Sequence, residues 1–149
     1  MSKVGPAVRR AGVTLNHRPK DISMQYLCLA YYDPEKMAAM APADMQALAA
    51  QLPAKDAALA QTGCLVWSAS LEGPQATFAL RPRGGKPAVT DGPYAEAKEL
   101  VGGVILIEAP NKEEAIRIAS LHPAATLGES IGWGIEVHPI GVCSVKIQK

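Results

Sequence analysis

Residues 102–121 read GGVILIEAPNKEEAIRIASL, and they decide the fold. The run 104–109 is compact, apolar and partly β-branched, which predicts a central strand. Asn111, with Glu114 three residues on, matches a capping box. The helix it opens places Ala115, Ile118 and Ala119 on one face. This helix is expected to run to Leu121 and to end at His122-Pro123. Downstream, 133–139 sets Trp133, Ile135 and Val137 against Gly134, Glu136 and His138. That alternation predicts a strand with one apolar and one polar face.

Upstream, 25–31 (QYLCLAY) predicts a first strand, buried on both faces and bounded by Asp33-Pro34. Residues 42–62 predict a helix with Pro42 in its first turn and a stripe of Met45, Leu48, Ala49 and Leu52. Pro53 removes a hydrogen bond and crowds the Ala49 carbonyl, so a kink or break is expected there. The second half, 54–62, then ends at Gly63. Stretches 64–71 and 75–81, separated by Glu72-Gly73-Pro74, read as a hairpin. A glycine-rich turn at 83–86 leads to a short extended piece, 87–90, and the loop 91–93.

The order is strand, helix, strand, strand, strand, helix, strand. It predicts an α+β fold: a ferredoxin-like split βαβ with an inserted hairpin arm and both helices on one sheet face. The other face needs cover. Apolar residues make up 48% of the 149-residue chain, but 25 of them are alanine, which buries little area. Both features predict a homodimer in which a second copy covers the open face.

Charge and composition narrow the class. A net charge of +1 excludes an acidic solvating chain and argues against a strongly basic nucleic-acid binder. Seven aromatic residues are few for a base-stacking platform, so no direct nucleic-acid partner is expected. No apolar run approaches the ~18 residues of a membrane span. Cys28, Cys64 and Cys143 form no CxxC pair. They predict no thiolate metal site and suit a reducing cytoplasm. Residues 1–23 carry five basic residues against Asp21, with no sustained periodicity. They read as a basic N-terminal extension, expected to be mobile, ahead of a domain over 24–149.

The stretch Thr90-Asp91-Gly92-Pro93-Tyr94-Ala95-Glu96-Ala97-Lys98-Glu99, followed by Gly102-Gly103, resembles the signature of the DGPF, or YCII-related, family. Tyr94 stands for the usual Phe and Ala97 for the usual Thr. The opening Met24-Gln25-Tyr26-Leu27-Cys28-Leu29 and the closing Ile135-Glu136-Val137-His138-Pro139-Ile140 resemble the family's first and last strands, with His138 where Arg is common. The resemblance covers roughly residues 24–140. It implies a ferredoxin-like unit that dimerises into an α+β barrel. It also implies a link to sigma-factor-like transcription proteins, beside or joined to which members often occur. One branch is proposed to use a His–Asp pair near the end of the first strand. The corresponding region, 31–35, offers Asp33 but no histidine.

The turn 91–93 has a structural account, since Gly92 is permissive, Pro93 presets φ and Asp91 can accept a backbone N–H. It also presents Tyr94, Glu96, Lys98 and Glu99 within six residues. A carboxylate near an ammonium and a phenol can move a proton when partly buried. Asp91 and Glu96 are therefore candidate catalytic groups. His138, on the polar strand face beside Glu136, is a third, although pairing with a carboxylate would make it structural. Arg81 can hold a carboxylate or phosphate bidentately, and with Tyr94, Lys98 and His122 it forms the candidate substrate-binding set. His122 also reads as a cationic cap on the preceding helix C-terminus. No dinucleotide, P-loop, nucleophile-elbow or metal-ligand motif occurs, so no cofactor or metal is expected. Two functions follow. One is a cofactor-independent small-molecule enzyme using acid–base chemistry in a dimer cleft. The other is a non-catalytic ligand-binding or transcription-associated accessory protein.

Overall fold

The computed structural model describes residues 23–141, so residues 1–22 of the expected extension, and Cys143, lie outside it. Four strands form one sheet: β1 (Met24–Tyr32), β2 (Leu65–Ser70), β5 (Leu100–Ala109) and β6 (Gly134–Pro139). Their order is β2-β5-β1-β6, and every neighbouring pair is antiparallel. Between β2 and β5 the chain leaves the sheet to form a two-stranded arm, β3 (Phe78–Arg83) with β4 (Lys86–Asp91). Helices α1 (Pro34–Ala38) and α2 (Pro42–Gln61) follow β1, while α3 (Lys112–Ala119) and α4 (Pro123–Thr126) follow β5. This is the α+β, ferredoxin-like plan with an inserted arm.

The core lies on one face of the sheet. Tyr26, Cys28 and Ala30 of β1 and Ile105, Ile107 and Ala109 of β5 pack against Leu59 of α2, Ala115, Ile118 and Ala119 of α3, and Ala124 of α4. The first strand is therefore not buried on both faces: buried and half-buried residues alternate along it. The opposite face carries rows set by register. Trp67 sits opposite Leu106, Leu106 opposite Leu27, and Leu27 opposite His138. Trp67 remains 47% exposed. No helix among the described residues is long and apolar enough to cross a membrane.

Local chemistry explains where expectation and structure part. The expected hairpin of 64–71 with 75–81 does not form, because β2 pairs with β5 and β3 pairs with β4. A 3-10 turn at Pro74–Ala76 takes the chain off the sheet. The true reversal is Gly84-Gly85, with φ of +58 and +77 and Arg83 opposite Lys86. Two positive φ values in a two-residue loop suit the right-handed twist of a hairpin. Nor does Pro53 break α2, which runs unbroken through it. Pro53 and Ala49 are both exposed, so water can reach the carbonyl that loses its partner. Leu48 is buried on the expected stripe, while Ala49 is exposed. In β5, Gly102-Gly103 lie inside the strand rather than before it, and a Cβ at Gly102 would come within 2.9 Å of the Tyr32 ring.

Asn111 caps α3 by accepting the Glu114 N–H at 2.9 Å, as the capping box predicts. The reciprocal half is absent, since the Glu114 carboxylate turns to Arg117, also at 2.9 Å. This helix ends at Ala119, short of Leu121, and His122 belongs to the next helix.

Candidate functional site

A cavity of about 810 Å³ lies between the helix-covered face of the sheet and the roof formed by α2 and α4. Its floor is a row of small residues on three adjacent strands: Ala30 opposite Gly103, and Gly103 opposite Ser70. With no large side chain in that row, the helices have nothing to close upon. The roof is loosely seated too, since only Leu48 and Leu59 of the twenty residues of α2 are buried. Half-buried Leu52, exposed Asp56 and buried Leu59 line the space from α2, and Tyr32, Trp133 and His122 are among the residues around it.

His122 is the N-cap of α4, and its Nδ1 accepts the Ala124 N–H at 3.1 Å. Accepting requires a lone pair on Nδ1, so the neutral ring carries its proton on Nε2. Burial lowers the His122 pKa below the ordinary 6.5, and the nearby Asp56 carboxylate opposes this only in part. His122 is thus a neutral hydrogen-bond donor. The expected cationic cap at the α3 C-terminus is overturned, because Pro123 starts a new helix that recruits the ring at its N-terminus, where a positive charge is disfavoured. The consequence is pH-dependent stability. In this depressed-pKa case the unfolded chain binds more protons, so stability rises with pH. The contribution is complete above 6.5 and is lost as pH falls from there towards the lowered value. His122→Asn, which keeps a capping oxygen, should flatten that slope in urea titrations repeated across pH. An unchanged slope would assign it elsewhere.

A second acid sits at the end of β1. Asp33 is 1% exposed, and its Oδ1 accepts the N–H groups of Glu35 at 3.0 Å and Lys36 at 3.2 Å, capping α1. Its Oδ2 lies 4.0 Å from Lys98 Nζ. Its backbone N–H donates to the Ile131 carbonyl at 2.9 Å, which joins β1 to the turn before β6.

The remaining sequence candidates are dispersed. Arg81 donates from Nη2 to the Tyr94 carbonyl, and its guanidinium stacks over the Tyr94 ring at 3.9 Å. That pair ties the loop after β4 to the arm. Asp91 is exposed at the end of β4 opposite Phe78, and the Gly92 N–H donates to the Thr77 carbonyl at 2.7 Å. With φ of +99, Gly92 occupies a conformation that favours glycine. Residues 92–99 form an irregular loop, and Glu96 is exposed on it. His138 stands on the open sheet face, its Nε2 2.8 Å from Glu136 Oε2, which also accepts from the Tyr31 hydroxyl at 2.9 Å. These contacts lower the Glu136 pKa and raise that of Tyr31. Of the seven candidates, His122 alone lines the cavity. The Cys28 thiol is pushed up to about 11 by burial, which leaves it a core filler.

Asp56, Ser70 and Trp133 were not among the sequence candidates, and Asp33 entered only as the acid of a pair whose histidine is absent from 31–35. Asp33-Pro34 is a helix-start signal, an N-cap acid followed by proline. Asp56 and Ser70 carry no such local mark.

A family model described as the YCII-related domain matches residues 24–132, which takes in every cavity-lining residue except Trp133. No curated protein matches the chain.

Proposed function

From the premise that this chain belongs to the YCII-related domain family, we propose that it is a small-molecule protein whose cavity performs proton transfer beside a carbonyl group. One observation carries this reading: His122, held neutral with its free proton on Nε2, lines the cavity together with the Asp56 carboxylate. A neutral imidazole donor and a carboxylate base divide the work of enolisation between them. Asp56 takes a proton from the carbon next to the carbonyl, and the electron pair of that C–H bond moves into the carbonyl. Negative charge grows on the oxygen, where the His122 Nε2–H donates to it. When the protonated Asp56 swaps its proton with solvent before returning one to the same carbon, the substrate gains a solvent hydrogen; in a β,γ-unsaturated ketone, whose dienolate also carries charge at the γ-carbon, returning it there gives the isomer. Neither outcome needs an oxidant, a reductant or a second substrate.

Exchange is the simpler measurement. Aryl alkyl ketones incubated with the protein in D2O should gain deuterium at the α-carbon, read by mass spectrometry. Asp56→Asn and His122→Phe should each slow this by a factor on the order of a hundred, typical of a lost general base or electrostatic donor. Saturable binding without exchange would favour the ligand-binding, non-catalytic alternative.

A further inference from the structure

Resting on the reading of this cavity as a ligand site, we propose that it selects uncharged, flat, ring-bearing molecules and rejects organic anions. Charge is the first argument. Among the described residues no lysine or arginine lines the cavity, and its acidic lining residue is Asp56. A carboxylate or phosphate entering it would lose water, find no cation and meet a like charge. The cations that the sequence brings to mind are engaged elsewhere, Arg81 on Tyr94 and Lys98 beside Asp33. The His122 ring offers a single donor, which suits a neutral acceptor such as a ketone oxygen.

Shape is the second argument. The Ala30–Gly103–Ser70 row spans three strands with scarcely any side chain, a low strip in a floor to which Tyr32, Leu65 and Ile105 also contribute. Leu52 and Leu59 face it from α2, and Trp133 stands at one side. A slot between this low row and the leucines of the roof accepts a planar ring better than a branched chain, and the indole adds a surface for offset stacking. At about 810 Å³ the space lies within the range that holds a drug-sized molecule.

Two dyes with the same ring system separate these claims. 6-Propionyl-2-dimethylaminonaphthalene is an uncharged ketone, and 6-dimethylamino-2-naphthoate replaces the ketone with a carboxylate. Both change their emission on leaving water, and both can be titrated into the full chain at pH 7.5. The ketone is expected to bind at least about tenfold more tightly than the carboxylate. Gly103→Val should weaken the ketone by a similar factor. A Cβ at Gly103 meets only ordinary contacts, at 3.5 and 3.6 Å, and valine suits a strand, so the floor rises without unfolding the sheet. Leu52→Trp fills the same space from the roof and serves as the independent variant. Equal binding of both dyes, or tighter binding of the carboxylate, with both lost in the two variants, overturns the selectivity and leaves the cavity as a ligand site. Failure of the ketone to bind, or binding unchanged by either variant, overturns the ligand site itself and the proposed function with it.

Discussion

Asp33→Ala is expected to destabilise the protein by about 2 kcal/mol, the scale for losing an N-cap whose hydrogen bonds are charge-assisted. The Asp33 carboxylate is almost wholly buried and makes two such bonds to the first turn of α1. Alanine leaves both N–H groups without that acceptor. The alternative source of stability, the pair with Lys98, is weak on its own terms. The separation is 4.0 Å and the lysine side chain is 64% exposed, a setting in which ion pairs contribute about 0–1 kcal/mol. Asp33→Asn separates the two, because it retains a capping oxygen and deletes the charge. Urea denaturation should place Asn much closer to wild type than Ala. An Asn variant as damaged as the Ala variant would transfer the weight to Lys98.

Gly128→Ala should be at least as damaging, at about 2–5 kcal/mol. Gly128 has φ of +68, and a Cβ there would lie 2.4–2.6 Å from the Trp133 ring. The left-handed backbone costs about 1–2 kcal/mol for a residue with a side chain. Forcing the indole aside adds about 1–3 kcal/mol. Gly63→Ala supplies the internal control: its φ is +71, but nothing lies within 4 Å of its added Cβ. Only the backbone share, about 1–2 kcal/mol, should be lost there. The difference between the two midpoints isolates the clash. Because Trp133 lines the cavity, Gly128→Ala should also shift the tryptophan emission in a Trp67→Phe background, whereas Gly63→Ala should not. Equal losses at both glycines would mean that the indole yields freely.

Much of the fold was legible because its signals are local. Asn111 announces α3, Gly63 closes α2, and the 133–139 alternation announces β6, each through a few neighbouring residues. Errors arose where a local signal had two outcomes. Glu72-Gly73-Pro74 can turn a chain back on itself or carry it off a sheet, and the pairing of β2 with β5 decided between them. Pro53 can break a helix or ride on its wet side, and its exposure decided. His122-Pro123 can end one helix or begin another. The Ala124 N–H, which needed an acceptor, settled that choice and with it the charge of the ring.

The order of the sheet strands and of the two long helices, the ferredoxin-like plan and the family are readable along the chain, since periodicity, caps and the 90–99 signature are properties of contiguous residues, while the short helices α1 and α4 are not. Where chemistry can gather depends instead on how the elements pack. Ala30, Ser70 and Gly103 are unremarkable small residues far apart along the chain. Strand register places them side by side, and their missing side chains hold the sheet and α2 apart. A cavity made by absent atoms leaves no pattern along the chain, because it exists only once the elements that fail to fill it have been packed together.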